Sequence, residues 1–462
     1  MPTIHDLATA IGGQLSTLRP RDEVAQLPLG AVNSDSRTIA PGEVFWALRG
    51  PYHDGAAYVE AAHERGAVAA VVGRGAASLS KHVVIEVDDS LEALRAWARA
   101  RRQHFSGTAI AVTGSVGKTT TRQMIHTVLQ TRLRGTSSPR NYNNAIGVPL
   151  SMTAIEPEHD YAVLELGATH RGEIASLAEL CAPKVGVITQ VADAHLGEFG
   201  SRRAIAEAKA ELLAALPEEG RAVLGDDPAL RTLAVASRAE ITWVGETEAC
   251  DVRATEVTSR SGLLSFVVAR QRFELPVWGR HHLRAALTAV AVGRMMGFDL
   301  EETAEALHGY CPVPQRCEVI EVRGATIIND TYNASPTAVR AALELLADVD
   351  ATGRRIVVCG DMADLGNDAA ELHWNLGEQV ATISKADLLF ACGQFARCVV
   401  SGARAAGMPR SRSVPCDNVD SALPFLGQAI LPGDAVLVKG SRKMEMERVV
   451  EALRSYPRRR SA

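Results

Sequence analysis

A lysine and two threonines close a glycine-containing loop, Gly114, Ser115, Val116, Gly117, Lys118, Thr119 and Thr120, directly after the apolar run AIAVT and before a stretch of helix formers. Glycines let backbone N–H groups converge on phosphate oxygens, and a helix N-terminus adds positive potential. Lys118 would neutralise β/γ-phosphate charge, and Thr119 would offer a hydroxyl to Mg²⁺. The common loop, G-x-x-x-x-G-K-[ST], has glycine where Val112 stands here, while Gly114 sits closer in. The chemistry expected is binding and transfer of nucleotide phosphate.

A phosphate loop needs groups for the metal. Glu165 ends the strand YAVLELG, and His195 follows the strand VGVITQ in VADAHLGEFGS. Both fall at the carboxyl ends of parallel strands, where open α/β sheets collect ligands. A capping glutamate and an ordinary loop histidine are the competing readings. Lys209 lies on the alanine-rich helix AIAEAKAELLAAL. Composition makes it a solvated charge, whereas burial with a depressed pKa would let it take up CO₂ as a carbamate, turning a cation into an anionic ligand. Asn141, Asn143 and Asn144 in RNYNNAIGVPLS, and Asp330, Tyr332 and Asn333 in INDTYNASPTA, read as a site or as Asx-turns and caps. Lys439 and Arg442 in KGSRKMEME could meet an anion or be plain surface charge.

These residues need a scaffold, and 462 residues exceed what one core usually organises, so two or three domains are expected. With 47% hydrophobic and 22% charged residues the chain is globular and not disordered. Its net charge of −5 argues against nucleic acid as the main partner. The basic tail at Arg458, Arg459 and Arg460 reads as solvated terminus. No basic segment leads into an apolar core at the start, and Ala286 to Val292 stops at Gly293 and Arg294, so a cytoplasmic protein without a membrane span is expected. Eight cysteines without C-x-x-C spacing read as buried free thiols.

The pattern predicts an α/β chain of three domains. Residues 1–105 form a small α/β unit of short strands and helices. Residues 106–312 alternate strand and helix as a parallel sheet requires: strand Ala109–Val112, helix Thr119–Leu129, strand Tyr161–Leu166, helix Glu173–Leu180 and strand Val185–Thr189. A hairpin-like alternation, Gly262–Val277, and a helix, Leu283–Met295, close that unit. After the proline-stiffened CPVPQR, residues 313–462 repeat the α/β rhythm as a Rossmann-like domain.

Taken in order, DSRTIAPGEVFWALRG, TGSVGKTT, NYNNAIGVPLS, ELGATHRGEI, AHLGEFGS with AKAEL, GRHHLRAAL, NDTYNASP, GDMADLG with His373 and VLVKGSRKMEME resemble the Mur ligase family over nearly the whole chain. The first-domain phrase, NYNNAIGVP and ELGATHRGEI resemble most closely the members that add D-alanyl-D-alanine to UDP-N-acetylmuramoyl-tripeptide. The resemblance implies a UDP-substrate domain, a central ATPase and a C-terminal domain that closes over ATP. It implies ATP and Mg²⁺, a metal set of Thr119, Glu165, His195 and a carbamylated Lys209, Arg316 and Asp330 toward ATP, and Ser36, Arg37, Asn143 and Asn144 toward the UDP-substrate. A monomer is expected. His282 and Ala285 stand where the family carries asparagines, so its adenine contacts do not carry over unchanged. Gln315, Asn329 and Ser335 also depart from the pattern. Rival readings are another ligase of the family, a folylpolyglutamate synthase, or a non-catalytic nucleotide-binding relative. No D-N-P-R sequence of the diaminopimelate-adding members is present.

Overall fold

The computed structural model describes residues 2–50, 53–75, 82–193 and 196–455; His195 and the Arg458–Arg460 tail lie outside the described residues. Three α/β bodies follow one another along the chain. In the first, strands Gln14–Ser16, Val84–Val87, Ala69–Gly73, Val44–Trp46 and Val32–Asn33 lie side by side in that order, parallel except for the first pair. The helix Ser90–Gln103 packs on this sheet and leads into the second body; Asp89 caps it, accepting from the N–H groups of Leu91 and Glu92. The buried Trp46 fixes the helix start by donating its indole N–H to the Ser90 carbonyl at 2.7 Å.

The central sheet is entirely parallel, in the order Val252–Arg253, Glu240–Gly245, Arg221–Gly225, Val185–Ile188, Thr108–Thr113, Tyr161–Glu165, Gly135–Ser137. The strand Thr108–Thr113 is buried on both faces, and its period of two sorts the side chains into two cores. Ile110 and Val112 join Met124, Ile125 and Val128 of the helix Lys118–Leu129. Ala109 and Ala111 face Ile174, Leu177 and Ile205 on the other side. Each buried Ile or Val contributes about 1.5–3 kcal/mol, so the strand and the helix that follows it are held as one piece. The chain leaves that strand to one side at Tyr161–Glu165 and returns on the other at Val185–Ile188, a topological switch that opens a crevice at the carboxyl ends. The helix Leu283–Met295 is buried from Ala285 to Gly293, so its apolar run is core. No helix among the described residues is long and apolar enough to cross a membrane.

The alternating segment Gly262–Val277 is the expected hairpin, Leu263–Val268 pairing antiparallel with Gln271–Leu275, and a strand that precedes it, Thr255–Arg260, widens it to a three-stranded sheet. One expectation needs correction here. All eight cysteines are free thiols, but Cys311 is exposed and Cys398 only half-buried.

The third body orders its strands Glu318–Val322, Ala325–Asp330, Ala435–Lys439, Arg355–Gly360, Leu388–Cys392, Ser413–Cys416, parallel apart from the first pair. Its helices Ala369–Thr382 and Ala396–Ala405 touch backbone to backbone. A Cβ on Gly377 would lie 1.8 Å from the Val399 carbonyl oxygen, and one on Gly402 1.9 Å from that of Trp374. Gly377→Ala should therefore cost about 1–3 kcal/mol despite alanine's better helix propensity, read as a lower midpoint in denaturant unfolding. Unchanged stability would mean the two helices can separate freely.

Candidate active site

The loop after Thr108–Thr113 is shaped by its backbone before any ligand arrives. Gly114 has φ +140, and a Cβ there would lie 2.1 Å from Thr189 Oγ1. Glycine is required at this position. Thr189 Oγ1 donates to the Val116 carbonyl at 2.6 Å, and Ser115 N donates to the Gln190 carbonyl at 2.7 Å, so the end of the neighbouring strand clamps the loop. Gly117, at φ +85, precedes the helix Lys118–Leu129, which has no side-chain cap. Its first N–H groups are left for an anion. Lys118 Nζ donates to the carbonyls of Gly114 at 2.7 Å and Ser115 at 3.4 Å. Burial holds Lys118 below its ordinary pKa; Glu165 opposes that shift and Arg316 adds to it.

Glu165 is almost fully buried at the end of its strand. Its carboxylate accepts from Thr119 Oγ1 at 2.9 Å and from Asn143 Nδ2 at 2.9 Å, which brings three expected site residues together. A fourth neighbour was not foreseen. Arg122, buried one turn beyond Thr119, sets its Nε 3.7 Å from Glu165 Oε2, and that Nε makes no hydrogen bond among the described residues.

Lys209 is not a solvated charge. It is 3% exposed on the inner face of Arg202–Ala214, in the stripe Ile205, Ala208, Lys209, Leu212. Its Nζ donates to the Ala168 carbonyl at 3.2 Å and lies 5.4 Å from the centroid of the Phe199 ring. Burial, reinforced by Lys118, lowers its pKa to about 7. An amine that is partly neutral at pH 7, near a cation, fits carbamate formation: the neutral form attacks CO₂, and the resulting anion would be welcome beside Lys118.

Two cavities meet at the loop. One, of about 410 Å³, is lined by Ser115 to Thr121 on the central body and by Arg316, Asp330, Tyr332, Lys439 and Arg442 on the third. Arg316 stacks over Tyr332, its guanidinium carbon 4.0 Å from the ring centroid. Asp330 already accepts from Lys439 Nζ at 2.5 Å and from Cys317 N at 3.2 Å. His282 also lines this cavity; its buried Nδ1 has no partner among the described residues, and burial pushes its pKa well down, so it stays neutral. The second cavity, of about 620 Å³, shares Ser115, Lys118 and Asn143 with the first and runs past Lys209 and Asn144 to Arg95 on the first body.

Some expected residues are placed otherwise. Asn144 lines the second cavity but spends its side-chain oxygen on the N–H groups of Ile146 and Gly147. Ser36 and Arg37 line neither cavity; Arg37 is exposed and paired with Asp35 at 2.8 Å. His373 is a satisfied core histidine, with Nε2 accepting from Met362 N at 2.9 Å and Nδ1 within 2.6 Å of the Ala369 carbonyl. Among the described residues no three His, Cys, Asp or Glu side chains gather to hold a metal alone. Thr119 and Glu165 beside a phosphate site instead suit Mg²⁺ carried largely by phosphate oxygens.

A phosphate loop facing a second α/β body across a cation-lined cavity defines a nucleotide-using enzyme whose site is assembled from two units. Residues 29–102, 112–293 and 315–442 match in turn the catalytic domain of the Mur ligase family, the Mur ligase middle domain and the Mur ligase glutamate ligase domain. The UDP-N-acetylmuramoyl-tripeptide–D-alanyl-D-alanine ligase of Bacillus subtilis is 33% identical over 460 residues, 98% of this chain and 99% of that one. Its Escherichia coli counterpart is 31% identical over 461 residues, 98% of each. The crystal structure of MurF from Acinetobacter baumannii superposes with a TM-score of 0.84 at 30% identity, covering 98% of this chain and all of that one. The chain belongs to the Mur ligase family.

Lys118→Ala should abolish ATP turnover while circular dichroism shows an intact fold, because the side chain caps its own loop and supports no core. An unchanged rate would contradict the phosphate-loop assignment. Lys209→Met should stabilise the protein most below pH 7. There the folded and unfolded amines are both protonated and the fold bears the whole cost of the buried cation. Between about 7 and the ordinary 10.5, only the unfolded amine still binds a proton, so parent stability rises and the advantage of Met fades. Thermal midpoints across that range test the sign.

Proposed function

We propose that the protein is an ATP-dependent ligase that joins D-alanyl-D-alanine to UDP-N-acetylmuramoyl-tripeptide, acting as a cytoplasmic monomer in peptidoglycan precursor synthesis. The observation that carries this reading is the shared wall of the two cavities. Lys118, Ser115 and Asn143 face both, so a nucleotide γ-phosphate in one and a carboxylate in the other meet at the loop. The family relatives named for this reaction support it.

Joining a carboxylate to an amine in water is uphill, so the carboxylate is activated first. One carboxylate oxygen attacks the γ-phosphorus, the bond to the β-phosphate oxygen breaks, and an acyl phosphate and ADP form. Lys118 and the helix N-terminus stabilise the charge on the transferring group. The dipeptide amine then attacks the acyl carbon, loses a proton, and phosphate leaves as the amide forms. Mg²⁺, held by Thr119, Glu165, His195 and a carbamate on Lys209, would screen the phosphate charge when bound. Arg316 and Asp330 belong to the third body, so a C-terminal unit of residues 313–462 must close on a central unit of residues 106–312 to complete the site and keep water from the acyl phosphate. Residues 1–105 would bind the UDP half, with Ser36 and Arg37 at the diphosphate.

Incubation with ATP, UDP-muramoyl-tripeptide and D-Ala-D-Ala should yield the pentapeptide by mass; phosphate release only with a single amino acid or a folate would favour the rival ligases. Lys209→Ala should lose activity and regain part of it with added short carboxylic acids, which supply the missing anion. Activity equal to the parent would refute the carbamate. His282 can offer adenine one hydrogen bond through its unpartnered Nδ1. His282→Ala should therefore erode the preference for ATP over GTP by roughly tenfold, a single hydrogen bond's worth, as read from kcat/KM; an unchanged ratio would place base reading on backbone groups.

A further inference from the structure

The central and C-terminal bodies touch at a point whose construction the nucleotide cavity does not explain. Gly197, in the short turn Leu196–Phe199, donates its N–H to the Asp364 carbonyl at 3.1 Å. A Cβ on Gly197 would lie 2.7 Å from Gly366 N and 2.9 Å from Gly366 Cα, and one on Gly366 would lie 2.8 Å from Gly197 Cα. Gly197 is not among the glycines with positive φ, so its own backbone does not demand glycine. The approach of the other body does.

Both sides of this contact lead to groups at the reaction centre. On the central side, the turn ends in Phe199, whose ring covers the amine of Lys209. On the other, Ala363 N donates to Ser441 Oγ at 2.7 Å and Ser441 N donates to the Asp361 carbonyl at 3.0 Å. That fixes the 361–366 loop to the segment carrying Lys439 and Arg442, both of which line the nucleotide cavity. The glycine contact is thus the middle of a chain of packed and hydrogen-bonded groups running from the Lys209 side to the phosphate side.

We propose that Gly197 and Gly366 are positioning residues, a docking point that sets the register of the C-terminal body so that Lys439 and Arg442 reach the phosphates while Phe199 is held over Lys209. The proposal rests on reading the cavity between the bodies as the ligation site. A side chain at either glycine would hold the bodies apart by about a methyl radius, and misplacement on the order of 1 Å can cost ~10²-fold in rate.

Gly197→Ala, Gly366→Ala, the double variant and Gly200→Ala form the test. Gly200 lies in the same segment with φ +76, and a Cβ there would meet nothing within 4 Å, so its substitution strains the turn without touching the other body. The readouts are kcat, KM for the UDP-substrate, thermal midpoint, and the change in radius of gyration when a non-hydrolysable ATP analogue is added. Gly197→Ala should lower kcat by about 10²-fold, leave KM and the midpoint near the parent's, and weaken compaction. Gly366 has φ +64, so alanine there strains its own backbone as well; the double variant should be no worse than Gly366→Ala alone, because both substitutions remove the same contact. Parent-like kcat and compaction in Gly197→Ala, an equal loss in Gly200→Ala, or additive losses in the double variant would overturn the proposal. Compaction needs only the nucleotide, so a mistaken peptide substrate would abolish product in every variant and still leave the compaction differences readable.

Discussion

Lys118, Arg122 and Arg316 crowd toward one region, and Glu165 is the carboxylate placed among them, while Lys209 lies on the far side of Lys118 with Glu211 and Glu173. Burial depresses Lys118 and Lys209 alike, reinforced by Arg316 at Lys118 and by Lys118 at Lys209. Burial lowers Arg122 as well, Glu165 opposing and Arg316 assisting. Such a site is costly without an anion and favourable with one. Its cost is offset elsewhere, by two apolar cores on either side of the central sheet that hold the loop strand and its helix whether or not a ligand is present.

That division explains what the chain discloses. Gly114, Gly117, Lys118 and Thr119 are legible because phosphate binding demands those types at a strand-to-helix junction, and Glu165 because a strand end is where a carboxylate can reach the loop. Lys209 misleads by composition, since an alanine-rich helix with one lysine looks like a solvated surface. Its spacing from Ile205, Ala208 and Leu212 is the signal that it faces inward. Arg122 was missed for a similar reason: the mark of its burial is that it lies three residues after Thr119 on the same helix, among positions that pack.

Fold details escaped where local patterns are broken. Strand Thr255–Arg260 has a register shift between Thr255 and Thr258 and is mostly exposed, so it lacks the alternation that marked its neighbours. Strand Ser413–Cys416 contains Pro415, which an edge position tolerates but a sequence pattern reads as a break. The role of His373 as a core histidine depends on a partner, Met362 N, that only the folded chain supplies.

A cavity shared between phosphate and carboxylate makes one chemical claim above the rest, that an acceptor oxygen becomes a phosphate oxygen. Labelling the reacting carboxylate of the UDP-substrate with ¹⁸O and analysing the released phosphate by mass tests it directly. The account predicts one labelled oxygen in each inorganic phosphate formed with product. Unlabelled phosphate, or label recovered in AMP, would contradict it.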